Sequence, residues 1–433
     1  MTPLQIGIIG CIMLFVLLAA SLPVAFSMAI VGFVGFAVVI NPQAATAMIT
    51  TELYETFTSY SLTVIPLFVL MGQVAFHAGI SRRLFDAAWH WLGGLPGGLA
   101  MATIGACTGF GAICGSGPAT AATMASVAIP EMKRYKYSPK LSCGTVAAGG
   151  SLGMLIPPSV VFIVYAILTD QSIGKLFIAG IIPGLLIALL FCLTIYLQCK
   201  RNPKLGPAGE RTGWTAKFVS LLGVIETLIL FVVVIGGMFL GFFTPTEAAA
   251  IGAAGSLVIA LARKKLTVKM LTRSLQETVR TSCMVMIIVT GAVILGRFLA
   301  ITRIPFELAT YLAGLPLPGW MVMAAIILFY LLAGSFIDAL ALVLLTIPIF
   351  YPVVIELGYD PIWFGVIIVV VTQMGVITPP VGVNVYVVSG IERDVSLQTI
   401  FRGAMPFLAA LIVAAILLMI FPSLCTFLPN LLS

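Results

Sequence analysis

Charge is what this chain has least of. Only 9% of its 433 residues are Asp, Glu, Lys or Arg, against 61% hydrophobic, where a soluble domain carries about a quarter charged residues. That balance excludes a water-soluble globular fold. The apolar–polar alternation of an outer-membrane barrel is missing too. Its place is taken by continuous apolar runs, the mark of a helical membrane protein. No phosphate-binding loop of the G-x-x-x-x-G-K-[ST] type occurs, so nothing points to ATP hydrolysis. The two histidines, His77 and His90, lack metal spacing, and the eight cysteines are scattered with no C-x-x-C pair. These cysteines read as small buried apolar residues, with neither disulfides nor metal implied. No nucleophile–base pair stands out, which leaves an intramembrane enzyme little support. The net charge of +7 is clustered in loops and reads as topology, not as nucleic-acid binding.

What is present is enough apolar sequence for roughly a dozen spans. Two of the runs are interrupted alike. Residues 146–166 carry Gly149, Gly150, Ser151 and Gly153, then Pro157 and Pro158. Residues 367–388 carry Gly375, Thr378, Pro379, Pro380 and Gly382. Glycine weakens a helix, and proline removes a donor and clashes with the preceding turn. Each run therefore reads as a helix, a break and a half-helix. In lipid the freed backbone must be met by protein, water or an ion, and paired broken spans point to a transporter's binding site.

In chain order, residues 4–20 and 24–40 read as two spans joined near Ser21-Leu22-Pro23. The first lacks a charged leader, so it is expected to be a span and not a cleaved signal. Residues 61–76 form a shorter candidate, and Arg82 and Arg83 open an amphipathic interfacial piece reaching Trp91. Residues 99–127 are small and glycine-rich, with flanks too short to cross, and read as a re-entrant hairpin. Residues 177–199 and 218–242 are further helices, separated by a basic linker over 200–217. A span over 246–262 follows Thr244-Pro245-Thr246-Glu247, which has the form of a helix start. Next comes the basic block Arg263-Lys264-Lys265 with Lys269, Arg273 and Arg280. Two spans separate it from the linker, so both lie on one side, cytoplasmic by the positive-inside rule. Residues 282–301 form a span carrying Arg297, and residues 320–355 form a second hairpin around Gly334-Ser335 and Asp338. After the second broken span, residues 404–427 close the chain. Glu226 lies inside a span, placed to bond a neighbouring helix, and Trp89, Trp91, Trp214, Trp320 and Trp363 sit near span ends as interface anchors do.

The halves echo each other. Gly115-Ser116 begins a half-helix reaching Ile129-Pro130, then the span with Pro157-Pro158 follows. Gly334-Ser335 begins one reaching Ile347-Pro348, then the span with Pro379-Pro380 follows. Four landmarks in order predict two repeats, read here as inverted. The fold class expected is an all-α polytopic membrane protein, each repeat holding a re-entrant hairpin and a broken span.

These residues resemble one family, the large membrane subunit of tripartite ATP-independent periplasmic (TRAP) transporters. The resemblance runs over essentially the whole chain. It rests most on Gly115-Ser116-Gly117-Pro118-Ala119-Thr120-Ala121-Ala122 running to Ile129-Pro130-Glu131-Met132, and on the stretch from Gly150 to Ser159. Thr244-Pro245-Thr246-Glu247-Ala248-Ala249 and Ile377-Thr378-Pro379-Pro380-Val381-Gly382 add to it. The resemblance implies a sodium-driven importer of an organic acid, such as sialic acid or a C4-dicarboxylate, in the bacterial inner membrane, working by an elevator movement. It also implies a small four-helix membrane subunit and a periplasmic substrate-binding protein as partners, and a chain of the unfused form. An uncoupled channel is the alternative reading. The expected division is scaffold over 1–94, transport domain over 95–176, scaffold over 177–313, transport domain over 314–403 and a last span over 404–433.

Sodium wants hard oxygen ligands, which freed carbonyls and Ser or Thr hydroxyls supply. The first sodium site expected on this resemblance joins Gly115, Ser116 and Gly117 to Gly149, Ser151 and Gly153. The second joins Gly334 and Ser335 to Gly375 and Thr378. For any one glycine, close helix packing explains it as well. Candidate substrate residues are Arg297, Asp338, Ser116, Ser159 and Asn384. Arg297 fits two roles, a fork on a carboxylate or a snorkelling cation. Asp338 fits three: accepting from substrate hydroxyls, assisting sodium, or pairing with Arg297. Asn384 offers an amide to substrate or to a neighbouring helix.

Overall fold

A computed structural model describes residues 2–20, 22–209, 212–313 and 318–431. Ser21, Arg211 of the basic linker and the boundary at residue 314 lie outside the described residues. Every regular element among the described residues is helical.

The chain opens with α1 (Pro3–Ala19) and α2 (Val24–Val39). Then α3 (Pro42–Thr58) bends by 55° into α4 (Val64–His77). The amphipathic α5 (Ile80–Leu92) leads to a hairpin of α6 (Gly98–Cys114) and α7 (Gly117–Arg134). The first broken span is α8 (Pro139–Ser151) and α9 (Val160–Thr169), followed by α10 (Ile173–Arg201). A helix bent by 44° comprises α11 (Trp214–Leu221), α12 (Ile225–Phe231), a π turn and α13 (Gly237–Phe239). Next come α14 (Pro245–Ala262), the long α15 (Val268–Thr302) and α16 (Ile304–Ala313). The second hairpin is α17 (Gly319–Gly334) and α18 (Ala339–Glu356), and the second broken span is α19 (Pro361–Gly375) and α20 (Val383–Ile391). The described chain ends with α21 (Leu397–Ile420) and α22 (Ser423–Leu431).

Local chemistry explains where these helices start. Thr244 and Glu247 form a reciprocal capping box on α14, with Thr244 N–H donating to Glu247 Oε2 at 2.8 Å and Glu247 N–H to Thr244 Oγ1 at 3.3 Å. Proline stands in the first turn of α3, α7, α8, α14 and α19, where its missing N–H costs nothing.

Two packing groups result. In one, α15 lies along α2 and α4, α4 packs on α14, and α1 on α2. The Phe298 ring of α15 fills a notch between glycines. A Cβ on Gly10 would lie 2.5 Å from its Cε1, and one on Gly35 2.6 Å from its Cζ. In the other group the hairpins and broken spans pack reciprocally. The outgoing arm α7 packs on α20, and the outgoing arm α18 packs on α9. Likewise α8 packs on α21 and α19 on α10. So α10, expected with the scaffold, lies against α6, α19 and α21. Two ion clusters tie helix ends together. Lys133 Nζ meets Glu392 at 2.6 Å, joining α7 to the end of α20. Glu226 of α12 receives Arg83 at 3.4 Å and Arg263 at 2.7 Å, joining α5 to the end of α14.

The structure corrects several expectations. Among the described residues five helices are long and apolar enough to cross a membrane, or up to seven if each bent pair is one span, and α1, α2, α6, α9, α17 and α19 are shorter apolar helices. The helix α3 was not anticipated, and α15 begins at Val268, well before residue 282. Trp363 is no interface anchor. It is 2% exposed, and its indole N–H donates to Leu418 O at 2.9 Å, as a buried indole requires.

Candidate functional site

The tip of the first hairpin is pressed against the first break. Gly115 turns the chain at φ +65°, a conformation that favours glycine, and its carbonyl accepts the Val160 N–H at 3.4 Å. Backbones meet where side chains are absent. A Cβ on Gly111 would lie 2.9 Å from Gly153 Cα, one on Gly117 2.9 Å from Met154 Cγ, and one on Gly150 2.6 Å from Ala121 Cβ. Gly149 faces Cys107 Sγ of α6. A Cβ on Gly153 would lie 2.8 Å from the Ser116 carbonyl oxygen and 2.5 Å from Thr120 Oγ1. Of the expected first cluster, Gly115, Ser116 and Gly117 are thus brought against the break at Gly153 and residues 154–159, while Gly149 faces α6 and Ser151 bonds within α8. Thr120 belongs at the contact of tip and break as well. Its hydroxyl is fully buried and bonds no nitrogen or oxygen, with the Cys114 thiol of the hairpin tip beside it. In the sequence Thr120 lies within the motif over residues 115–122, and its spacing of four from Ser116 on a helix is the signal that marks it. Ser151 Oγ donates to Ala148 O at 2.7 Å, which leaves its lone pairs free to bind a cation.

The second cluster is built the same way. A Cβ on Gly375 would lie 2.5 Å from the Gly334 carbonyl carbon and oxygen. The Val381 N–H, just past Pro379-Pro380, donates to the Ser335 carbonyl at 3.1 Å. That bond mirrors the one from Val160, just past Pro157-Pro158, to Gly115. Both Pro-Pro bonds are cis. Ser335 Oγ donates to Leu332 O at 2.7 Å and Thr378 Oγ1 to Met374 O at 2.6 Å. Gln373, two residues before Gly375, is fully buried with neither amide atom partnered.

Between the two packing groups lies a cavity of about 340 Å³, of the size that holds a small organic ligand. One wall is the hairpin tip, with Ser116, together with Met154, Val160 and the start of α18 at Asp338. The facing wall is Gln73 of α4 with Glu277 and Thr281 of α15. Three helices, α7, α9 and α18, begin at this cavity. The first N–H groups of α9 and α18 are already answered, by the Gly115 carbonyl, Ser159 and Asp338, so the uncapped start of α7 is the one that offers open N–H groups and its positive dipole end to an anion.

The substrate candidates divide. Ser116 sits at the N-cap of α7 with its hydroxyl making no cap bond, and it lines the cavity. Asp338 lines it too, while its Oδ2 accepts the Leu340 N–H at 3.0 Å and so caps α18. Ser159 is buried at the N-cap of α9. It donates to Met154 O and accepts the Phe162 N–H at 3.4 Å. Asn384 is fully buried, and its amide donates to Ala147 O at 3.0 Å, joining α20 to α8. Arg297 is not on the cavity wall. Its Nε meets Glu52 Oε1 of α3 at 2.6 Å, and Glu52, not Asp338, is its partner. Gln73, Glu277 and Thr281 were not anticipated. Glu277 and Thr281 lay in what read as a basic loop, because the length of α15 was not legible there.

Residues 11–424 match the family described as tripartite ATP-independent periplasmic transporter, DctM component. The chain is 39% identical to the C4-dicarboxylate TRAP transporter large permease protein DctM of Pseudomonas aeruginosa, over 88% of each chain. It is 34% identical to the sialic acid TRAP transporter large permease protein SiaM of Vibrio cholerae, over 96% of each. Among solved structures, the YdaH transporter of Alcanivorax borkumensis superposes with a TM-score of 0.64 at 15% identity, over 88% of this chain and 89% of that one. At that identity the likeness is one of fold. A multi-pass helical chain, two glycine-built hairpin contacts and relatives that are transport proteins, not enzymes, lead to one conclusion: this chain belongs to the DctM component family of tripartite ATP-independent periplasmic transporters.

Proposed function

We propose that this chain is the transport subunit of a sodium-coupled importer of an organic acid in the bacterial inner membrane. The observation that carries the reading is the uncapped N-terminus of α7, with the free Ser116 hydroxyl, opening on a cavity between the two packing groups. The open N–H groups at the start of α7 hold a carboxylate, and the Ser116 hydroxyl and Asp338 orient the rest of the solute. Names of relatives, which include C4-dicarboxylate, sialic acid and isethionate permeases, support a small organic anion as cargo.

Sodium is the co-transported ion in this reading. The Thr120 hydroxyl, bonded to no nitrogen or oxygen and beside the Ser116 carbonyl, supports one site, and the Gly334–Gly375 contact beside Ser335 and Thr378 supports a second. Sodium bound there would order the tip against the break and so complete the anion site. The reciprocal packing of hairpins and broken spans supports two inverted repeats. The group of hairpins, broken spans, α10 and α21 then slides against α2, α4, α14 and α15 as an elevator. A small four-helix membrane subunit extends the fixed side, and a periplasmic binding protein delivers the acid.

The test is uptake into proteoliposomes holding the chain and both partners, with labelled organic acids and with or without an inward sodium gradient. Uptake of one acid that requires the gradient is expected. Undiminished uptake without it would overturn the coupling.

A further inference from the structure

Beside the main cavity lies a second, of about 200 Å³, walled by Gln73 and His77 of α4, Thr123 of α7, and Arg273 and Glu277 of α15. The two cavities share Gln73, Cys114, Ala119 and Glu277, so they adjoin along one polar path. Three features make the second one a site. Arg273 is exposed, with no hydrogen-bond or ion-pair partner among the described residues. His77 Nε2 is buried without a partner. His77 Nδ1 lies 2.9 Å from the Gln73 carbonyl oxygen, which accepts its proton, and 3.3 Å from Ser274 Oγ. In the neutral ring Nε2 is then an acceptor, free for a solute hydroxyl.

Its place along the membrane follows from α15. A helix of 35 residues is about 52 Å long, against a hydrocarbon core of about 30 Å. Its first turns follow Arg263-Lys264-Lys265 and carry Lys269, so the basic end is cytoplasmic. Thr281, Glu277 and Arg273 step down one face of α15 by fours, from the main cavity towards that end.

We propose that the second cavity is a release site between the first hairpin and the fixed helices α4 and α15, which carry its His77, Arg273 and Glu277, taking a hydroxylated carboxylate on its way to the cytoplasm. Arg273 receives the carboxylate and His77 Nε2 accepts from a hydroxyl. Glu277, shared by both cavities, weakens the hold on the anion at the junction, so that the acid passes on and is not retained. The inference rests on the transport reading above and adds residues to its exit side.

The experiment uses the reconstituted three-component system with labelled succinate, malate and sialic acid. Arg273→Gln is expected to lower the maximal uptake rate roughly fivefold, with the half-saturating acid concentration unchanged. Arg273→Lys restores most of the rate. Lys264→Gln, which removes a cation of the same end outside either cavity, leaves it unchanged. His77→Phe slows malate and sialic acid, which carry hydroxyls, more than succinate, which has none. An unaltered rate in Arg273→Gln, an equal fall in Lys264→Gln, or an equal effect of His77→Phe on all three acids overturns the proposal. A wild-type assembly that moves none of these three, nor isethionate or a keto acid, overturns the transport reading beneath it instead.

Discussion

Thr120 and Arg297 reach opposite ends from similar beginnings, each a polar side chain in an apolar helix. A buried hydroxyl without a nitrogen or oxygen partner costs about 1–3 kcal/mol, and Thr120 carries that cost fully buried beside the Ser116 carbonyl. A cation between those oxygens would remove it. Thr120→Val keeps the shape and deletes the oxygen. It is expected to raise the half-saturating sodium concentration for uptake about tenfold, leaving expression and folding intact. An unshifted sodium titration would remove Thr120 from the site. Arg297, by contrast, has its charge answered by Glu52, which is 6% exposed where the arginine side chain is 57% exposed. Arg297→Gln leaves a buried carboxylate alone, at a cost of about 1–2 kcal/mol once solvent around the arginine is allowed for. A lowered melting temperature with an unchanged half-saturating acid concentration is the expected pattern. The reverse pattern, normal melting with weakened apparent affinity, would make Arg297 a substrate residue.

At the scale of helices, the hairpins and broken spans were legible because glycine and proline act locally. Gly115-Ser116, Gly334-Ser335 and the two Pro-Pro pairs mark their turns wherever the chain folds. The amphipathic α5 was legible from its charged face. What escaped depends on neighbours far away in sequence. Arg297 meets a partner 245 residues distant, and no local pattern names it. The helix α3, with Thr50, Thr51, Glu52 and Glu55, is too polar for a hydropathy reading, although Asn41 capping Ala44 N–H at 2.7 Å ahead of Pro42 was a usable start signal. The site clusters were legible as residues, but the facing wall on α4 and α15 was not. The element most sensitive to a single methyl group is the second hairpin contact. Gly375→Ala places a Cβ 2.5 Å from the Gly334 carbonyl, where only backbone is available to move. Uptake is expected to fall at least tenfold while the chain still inserts. Gly390→Ala on α20, where a Cβ meets nothing within 4 Å, serves as the control. Equal activity of the two variants would mean that the tip and the break need not touch.

For the whole molecule, the question is whether the two packing groups move past each other. Within each group helices interlock through glycine notches, as Phe298 does against Gly10 and Gly35, and such contacts do not slide. Between the groups α4 packs on α6, with Gly72 against the Cys114 backbone, and α15 packs on α18 beside the main cavity, so a slide has to exchange these contacts. Ala119 on α7 and Thr281 on α15 line that same cavity from opposite groups. Replacing both with cysteine, in a chain with Cys114 and Cys283 changed to alanine, gives a pair that a short cleavable linker can bridge. If the groups slide, the bridge arrests uptake and cleaving it restores the rate. A bridge inside one group, between cysteines at Lys133 of α7 and Glu392 at the end of α20, whose side chains already meet at 2.6 Å, is expected to leave uptake intact. Full uptake with Ala119→Cys bridged to Thr281→Cys would mean that the hairpin stays beside α15 throughout. The cavity would then be one segment of a fixed pore, and the uncoupled channel would be the better account of this chain.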